Sequence, residues 1–340
     1  MDVLSDTLQV VRLTGAIFLD ATFAVPWAIE SPTPDIIAHY LRLPTDCVAL
    51  FHIVVRGQGW FRVSGYTPVL LQAGDAILIP QSTPHVMSCG DYTTPVPVAA
   101  VIPPLPPGGI AEIKAERRGE STKFICGYLH CDQRFNPLIG ALPPLIAVRG
   151  QRGEDERAPA PAGPGETPAA VLPVPPGDWL ETTLRHVIEE AMSERPGKVE
   201  MLARLSEILF VEVVRRYMQQ LPEQEYGWLA GVRDPIVGQV LRLLHAQPEH
   251  PWTVEELADA VSVGRSTLAQ RFAALIGESP MRYLAGWRIQ VAKHLLRQTD
   301  MRLSDIAVRV GFESDAAFNR AFRRHVGQPP AAWRLAGAAR

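Results

Sequence analysis

The chain has 340 residues and a formal net charge of −3, a length that suits about two domains. Hydrophobic residues make up 47% and charged residues 20%, which excludes a disordered or fibrous chain. No run of ~18 apolar residues occurs, which argues against a membrane span.

Asp2 and Asp6 stand where a signal peptide would carry basic residues, so no leader is expected. Four cysteines in this length make no disulfide framework, and the expected compartment is the reducing cytoplasm. The charge is unevenly divided. Residues 235–340 hold 14 Lys and Arg against 9 Asp and Glu, a balance of +5, while the remainder carries −8. Such asymmetry points to a polyanion partner at one end. Thirteen of those 14 basic residues are Arg, whose planar fork suits phosphate and guanine edges.

Residues 1–148 read as a β-rich domain. Short apolar runs at Val48–Val55, Gly59–Val63, Ala76–Ile79 and Thr122–Leu129 lie between turn signals, a spacing that predicts a small barrel or sandwich. The stretch Gly150–Gly177 holds seven Pro and five Gly, so 149–177 is expected to be a flexible linker. Residues 178–226 then read as connector helices. Asp178 is a plausible N-cap for a helix carrying Leu180, Leu184, Val187 and Ile188. A second helix from about Lys198 to Leu221 has an apolar face too wide for one neighbour, which suggests packing on the β domain together with a homodimer contact; a purely intramolecular helical hairpin is the plain alternative.

Residues 234–335 contain a duplication. Leu257, Ala258 and Val261 recur as Ile306, Ala307 and Val310. Phe272, Gly277 and Pro280 recur fifty residues on as Phe322, Gly327 and Pro330. Each copy reads as a helix-turn-helix, at about 253–275 and 303–325. In the first, Thr253 caps and Val263-Gly264 turns. In the second, Ser304 caps and Gly311 turns. The paired aromatics and leucines face inward, which leaves Arg265, Ser266, Thr267, Gln270 and Arg271 on the first exposed face. Ser314, Asp315, Asn319, Arg320 and Arg323 occupy the second. Arg, Gln and Asn are the side chains that bond bidentately to base edges. The helix Met281–Gln298 between them is about 27 Å long at ~1.5 Å per residue, enough to hold two reading helices near one duplex turn apart.

This region resembles the DNA-binding domain of the AraC/XylS family of bacterial transcription regulators. The resemblance spans about 100 residues. It rests on Leu257-Ala258, Arg271-Phe272 and Gly277-Glu278-Ser279-Pro280, and more distinctively on Asp305-Ile306-Ala307 through Gly311-Phe312, Gly327-Gln328-Pro329-Pro330 and Trp333-Arg334. Gly264 departs from the family pattern, which puts the first residue of that reading helix in doubt. The resemblance implies double-stranded promoter DNA and RNA polymerase as partners and no enzyme activity, with an activator's role and a repressor's both left open.

Residues 5–148 resemble the cupin-type sensor half of one AraC branch, through Phe51-His52, Gly74 to Pro80 and His85, and Cys126-Gly127. The full architecture expected is therefore a cupin-like all-β domain, a helical connector and an all-α double helix-turn-helix domain. Enzymatic cupins bring two His and usually a Glu from the first motif. Here that motif supplies His52 alone, so an oxygenase or isomerase is disfavoured and no catalytic residue is assigned. Cofactors are expected to be none, with a metal left open at His52, His85 or His130 with cysteine. Cys126, Cys131 and Cys89 are candidate thiol sensors beside His52 and His85; buried packing cysteines are the plain alternative. On one strand Cys126 and Cys131 would lie about 16 Å apart at ~3.3 Å per residue, too far to bridge. An unknown organic effector fits all of these readings. A cupin enzyme on a DNA tether, or an architectural DNA binder, are the rivals.

Overall fold

A computed structural model describes residues 2–11, 13–43, 48–91, 94–106, 109–114, 119–130, 137–150, 163–222 and 226–338. The chain divides into two units, Leu13–Gln220 and Met1–Arg12 with Leu221–Arg340.

The first unit is built from alternation. In β1 (Thr14–Ala24) Leu19 and Ala21 face inward, while β2 (Trp27–Glu30) contributes Trp27 and Ile29. Helix α2 (Pro34–Tyr40) follows. Strand β3 (Val48–Arg56) is buried along nearly its whole length because both of its faces are covered. Strands β4 (Gln58–Val63), β5 (Val69–Gln72), β6 (Ala76–Ile79), β7 (His85–Cys89), β8 (Val96–Pro97) and β9 (Ala111–Ile113) are short. Next come β10 (Ser121–His130), a single turn α3 (Pro137–Gly140), β11 (Ile146–Gly150) and β12 (Ala170–Val174). They assemble into a seven-stranded sheet, β12-β11-β6-β3-β10-β1-β9, and a five-stranded sheet, β5-β4-β7-β2-β8. Leu50, Val54 and Phe124 of the first sheet share a core with Phe61, Val63 and Met87 of the second, so the form is a sandwich.

Helices α4 (Trp179–Ala191) and α5 (Lys198–Gln220) cover the outer face of the larger sheet. Leu180, Leu184, Leu209 and Phe210 lie there against Phe51 and Ile53. Gly15 permits the approach of α5 to β1, since a Cβ there would stand 3.0 Å from Ser206 Cβ. Asp178 caps α4, accepting from the Leu180 amide at 2.7 Å.

The second unit is helical: α6 (Trp228–Arg233), α7 (Val237–Ala246), α8 (Val254–Ala260), α9 (Arg265–Ile276), α10 (Pro280–Gln298), α11 (Leu303–Arg309), α12 (Asp315–Val326) and α13 (Pro330–Ala338). Helix α1 (Val3–Val11) packs on α7 and α10. Helix α10 joins two small cores. Around Tyr283 and Trp287 it meets the first helix-turn-helix, with Phe272 edge-on to Tyr283. Further along, Ile289, Ala292 and Leu296 pack with Ile306, Phe318 and Phe322 of the second.

The structure corrects the expected boundaries. The first twelve residues cluster with the C-terminal unit, because Val3 and Leu4 bury themselves on its helices. The expected linker 149–177 is partly sheet: Ala170–Val174 pairs in parallel with Ile146–Gly150, and Leu172 and Val174 are buried. The burial of Leu172 and Val174 in the sheet outweighs the local proline content. Residues 151–162 lie outside the described ones. The connector helices end inside the first unit at Gln220, not at 226.

The turns are corrected too. In the first helix-turn-helix the left-handed residue is Ser262, at φ +54°, and Gly264 is an extended N-cap residue. Ser262 thus occupies the place of Gly311, at φ +84°. Ser304 lies within the first turn of α11, whose N-cap is Arg302. Thr253 does cap α8, in a reciprocal box with Glu256.

Candidate nucleic-acid interface and a cavity in the sandwich

Helices α9 and α12 each bury one stripe and expose another. Leu268 and Phe272 are fully buried, as are Phe318 and Phe322. Arg265, Ser266, Thr267, Gln270 and Arg271 stand exposed on α9, and Asp315, Asn319, Arg320 and Arg323 on α12, with Ser314 just before it.

Several of these side chains are already engaged. Arg271 donates from Nη2 to Asp234 Oδ2 at 2.6 Å and from Nε at 3.0 Å. Burial opposes the charge on Asp234, but hydrogen bonds from Arg271 and the Val237 and Ile236 amides outweigh it and hold the carboxyl below its ordinary range. Arg265 meets Glu255 at 3.5 Å, with both side chains about two-thirds exposed. Ser314 is the N-cap of α12, its hydroxyl accepting from the Ala317 amide at 3.2 Å. Asn319 donates from Nδ2 to the Asp315 carbonyl at 2.8 Å. Arg320 and Arg323 have no ion-pair partner among the described residues, and neither does Arg324, an exposed cation that the sequence reading passed over. Its position four residues after Arg320 is the signal that places it on the same stripe.

The other candidate lies in the sandwich. Register pairs Cys126 of β10 with His52 of β3, and His85 approaches from β7 in the opposite sheet. Cys126 Sγ is 2.9 Å from His52 Nδ1, and His52 Nε2 is 3.1 Å from His85 Nε2. His85 Nδ1 is 2.9 Å from the Thr83 carbonyl, which can only accept. Ser31 Oγ also lies 2.9 Å from Nδ1, and a hydroxyl can accept there as well, so the accept-only Thr83 carbonyl sets the direction of the chain. His85 donates from Nδ1 and accepts at Nε2, so His52 donates from Nε2 and accepts at Nδ1. Cys126 then donates its thiol proton to His52.

Burial enforces this neutral arrangement. It presses His85 down to about 4, and together with the neighbouring His85 it holds His52 well below the ordinary imidazole range. It pushes the Cys126 thiol far above its usual value, so Cys126 is no thiolate. Because His52 offers one nitrogen to Cys126 and the other to His85, the three do not converge on one point. Among the described residues no three His, Cys, Asp or Glu side chains are grouped to hold a metal.

Beside Cys126 and His52 opens a cavity of about 320 Å³, lined also by Phe18, Ile37, Leu50 and Met87. Among the described residues, no Asp, Glu, Lys or Arg lines it. Gly127 owes its identity to packing, since a Cβ there would stand 2.0 Å from Phe51 Cζ. Cys89 is not part of this group. It is half-buried in a separate open cleft with Arg56 and Glu120. Cys131 lies outside the described residues. Cys89 and Cys126 are both free thiols.

Comparison with known proteins places these features. The family described as Cupin matches residues 2–162 and 168–219, and the one described as Helix-turn-helix domain matches 257–336. An AraC-like transcription regulator of Streptomyces lividans is 30% identical, over 98% of this chain and 98% of its own length. The HTH-type transcriptional regulator AlkR of Acinetobacter baylyi is 28% identical, over 98% of this chain and 99% of its own. Among solved structures, the DNA-binding domain of AdpA in complex with a target DNA is 36% identical over 31% of this chain and 95% of that chain, with a TM-score of 0.30. No described helix is long and apolar enough to cross a membrane.

Proposed function

This chain belongs to the AraC-like transcription regulators with a cupin half, and from that premise we propose that it couples a small, mainly apolar effector to the reading of two neighbouring sites on promoter DNA. The observation that carries the DNA half is the duplication. Two helix-turn-helix units stand at the ends of α10, whose 19 residues span about 28 Å. That length suits reading helices placed in successive major-groove turns about 34 Å apart.

The effector half rests on the cavity. Its volume suits a small organic molecule, and its lining offers almost no compensation for a buried charge. A neutral ligand with one polar group, set against Cys126 or Ser31, fits that chemistry. The pocket differs from a thiol sensor, which needs an accessible, acidic cysteine. We further infer a homodimer through α5, whose Val199, Met201 and Ile208 are 44–53% exposed. RNA polymerase is the partner that an activator would require, and the cytoplasm is the compartment that holds the promoter.

The testing experiment recovers duplexes from random-sequence DNA with the full-length protein. It then compares affinity for those duplexes and for unselected DNA at matched salt. A reporter driven by a recovered site, challenged with neutral apolar compounds, reads the effector half. Leu50→Trp, which fills the cavity, should abolish the response and leave DNA affinity in place. Equal affinity for both DNA pools would remove the specific regulator. A response untouched by Leu50→Trp would remove the cavity.

A further inference from the structure

We propose that Asp234 is a positioning residue for DNA reading, which seats the first recognition helix by holding Arg271, so that Arg271 is an anchor of α9 and not a base reader. The inference rests on the DNA-binding reading above and adds a division of labour within it.

Four observations carry it. First, Arg271 turns two of its three guanidinium nitrogens inward, although its side chain is 45% exposed. Nε and Nη2 both reach the Asp234 carboxylate, at 3.0 and 2.6 Å, the short charge-assisted contacts that cost most to break. Releasing them to contact a base would leave a carboxylate that is only 10% exposed without its cation.

Second, Asp234 is itself fixed. It lies between α6 and α7, where Oδ1 accepts from the Ile236 amide at 3.0 Å and the Val237 amide at 2.8 Å. Its carbonyl accepts from Gly238 at 2.8 Å. Arg271 therefore ties α9 to the start of α7 through a carboxylate that cannot swing away.

Third, the residue before it holds a second point. Arg233 donates to the Leu221 carbonyl at 2.6 Å, one residue past the end of α5. Two adjacent residues thus secure both the entry of the chain into this unit and the reading helix.

Fourth, the two helix-turn-helix units differ at this point. The position fifty residues on from Arg271 is Ala321, buried, and α12 exposes Arg320, Arg323 and Arg324 with no ion-pair partner among the described residues. The first unit uses its central arginine for position. The polar side chains that remain exposed on α9 are Arg265, Ser266, Thr267 and Gln270, three of them uncharged.

The test uses the full-length protein and a duplex that it recovers from random-sequence DNA. Arg271→Ala, Arg271→Lys, Asp234→Asn and the double variant R271A/D234N are compared, with Arg320→Ala alongside. Asn keeps an oxygen that can accept from the Ile236 and Val237 amides and removes the charge. Arg271→Ala and Asp234→Asn should each weaken binding by ~3–10-fold, and the double variant should be no weaker than the worse single one within ~2-fold. Arg271→Lys, which keeps the charge but loses the two-nitrogen fork, should fall between the parent chain and Arg271→Ala. The slope of affinity against salt and the base preference at every position should be those of the parent in all four, since no phosphate or base contact is lost.

The proposal is overturned if Arg271→Ala lowers the salt slope by about one or relaxes the preference at one base pair while Asp234→Asn binds normally. It is equally overturned if neither single variant changes affinity. Failure of the parent chain to recover any duplex would bring down the DNA-binding reading itself, a result distinct from both.

Discussion

Nε2 of His52 lies 3.1 Å from Nε2 of His85, two neutral imidazoles from opposite sheets sharing one proton between them. The Thr83 carbonyl at one end and the Cys126 thiol at the other leave one consistent direction for every hydrogen in the chain. A proton added to either ring breaks that order and places a charge in the sandwich core.

Acid should therefore weaken this unit. His85 titrates near 6.5 when unfolded and near 4 when folded, so between those values the unfolded state binds more protons. Stability is full above pH 6.5 and falls as pH drops through that window. By pH 5 the loss from His85 is about 2 kcal/mol. The check is the change in Tm between pH 7.5 and 5, compared with His85→Gln, which should show a smaller change. An identical pH dependence in the variant would contradict the assignment.

Cys126 should be slow to react. Its thiol is buried and donates to His52 at 2.9 Å, whereas Cys89 is half-buried beside an open cleft. Alkylation of the native protein at pH 8 should label Cys89 well before Cys126. Cys126→Ser keeps a donor for His52 and should cost less than Cys126→Ala, which orphans a buried nitrogen at about 1–3 kcal/mol. Labelling of Cys126 at the rate of an open thiol would restore the redox reading.

Gly127→Ala should damage the sandwich. Its Cβ would sit 2.0 Å from the Phe51 ring, and Phe51 has α4 and α5 packed behind it. Overpacking of this kind costs about 1–3 kcal/mol. Chemical denaturation would read the loss, and Phe51→Leu in the same chain should recover part of it.

Arg320→Ala and Arg323→Ala should each weaken specific binding by ~1–3 kcal/mol if the side chain reads a base. If it contacts phosphate, affinity should fall similarly on all duplexes, with the salt slope reduced by about one. Arg324→Ala belongs to the same series, on the stripe of Arg320. Wild-type affinity in all three variants would move the second reading surface off α12.

The double helix-turn-helix was legible because its signals are local. Phe272 and Phe322, the helix-ending glycines at 277 and 327, and the cap at Thr253 each act within one or two turns. What sequence could not supply were pairings between distant residues. Arg271 looks like any exposed helix arginine until Asp234, 37 residues away, is brought beside it. Cys126 looks like a sensor thiol until β10 sets it in register with His52. Proline-rich composition hid β12, because a five-residue strand at a sheet edge leaves too short a pattern to outweigh its neighbours. The first twelve residues carried no signal of which unit they join.

The central claim is that two helix-turn-helix units read promoter DNA together, and hydroxyl-radical footprinting of the full-length protein on a recovered duplex tests it most directly. The account predicts two protected segments on one face of the duplex, about 10–10.5 base pairs apart, with Arg320→Ala weakening the one read by α12 and leaving the other. A single protected segment insensitive to Arg320→Ala, or the same protection on unselected DNA at equal salt, would contradict it.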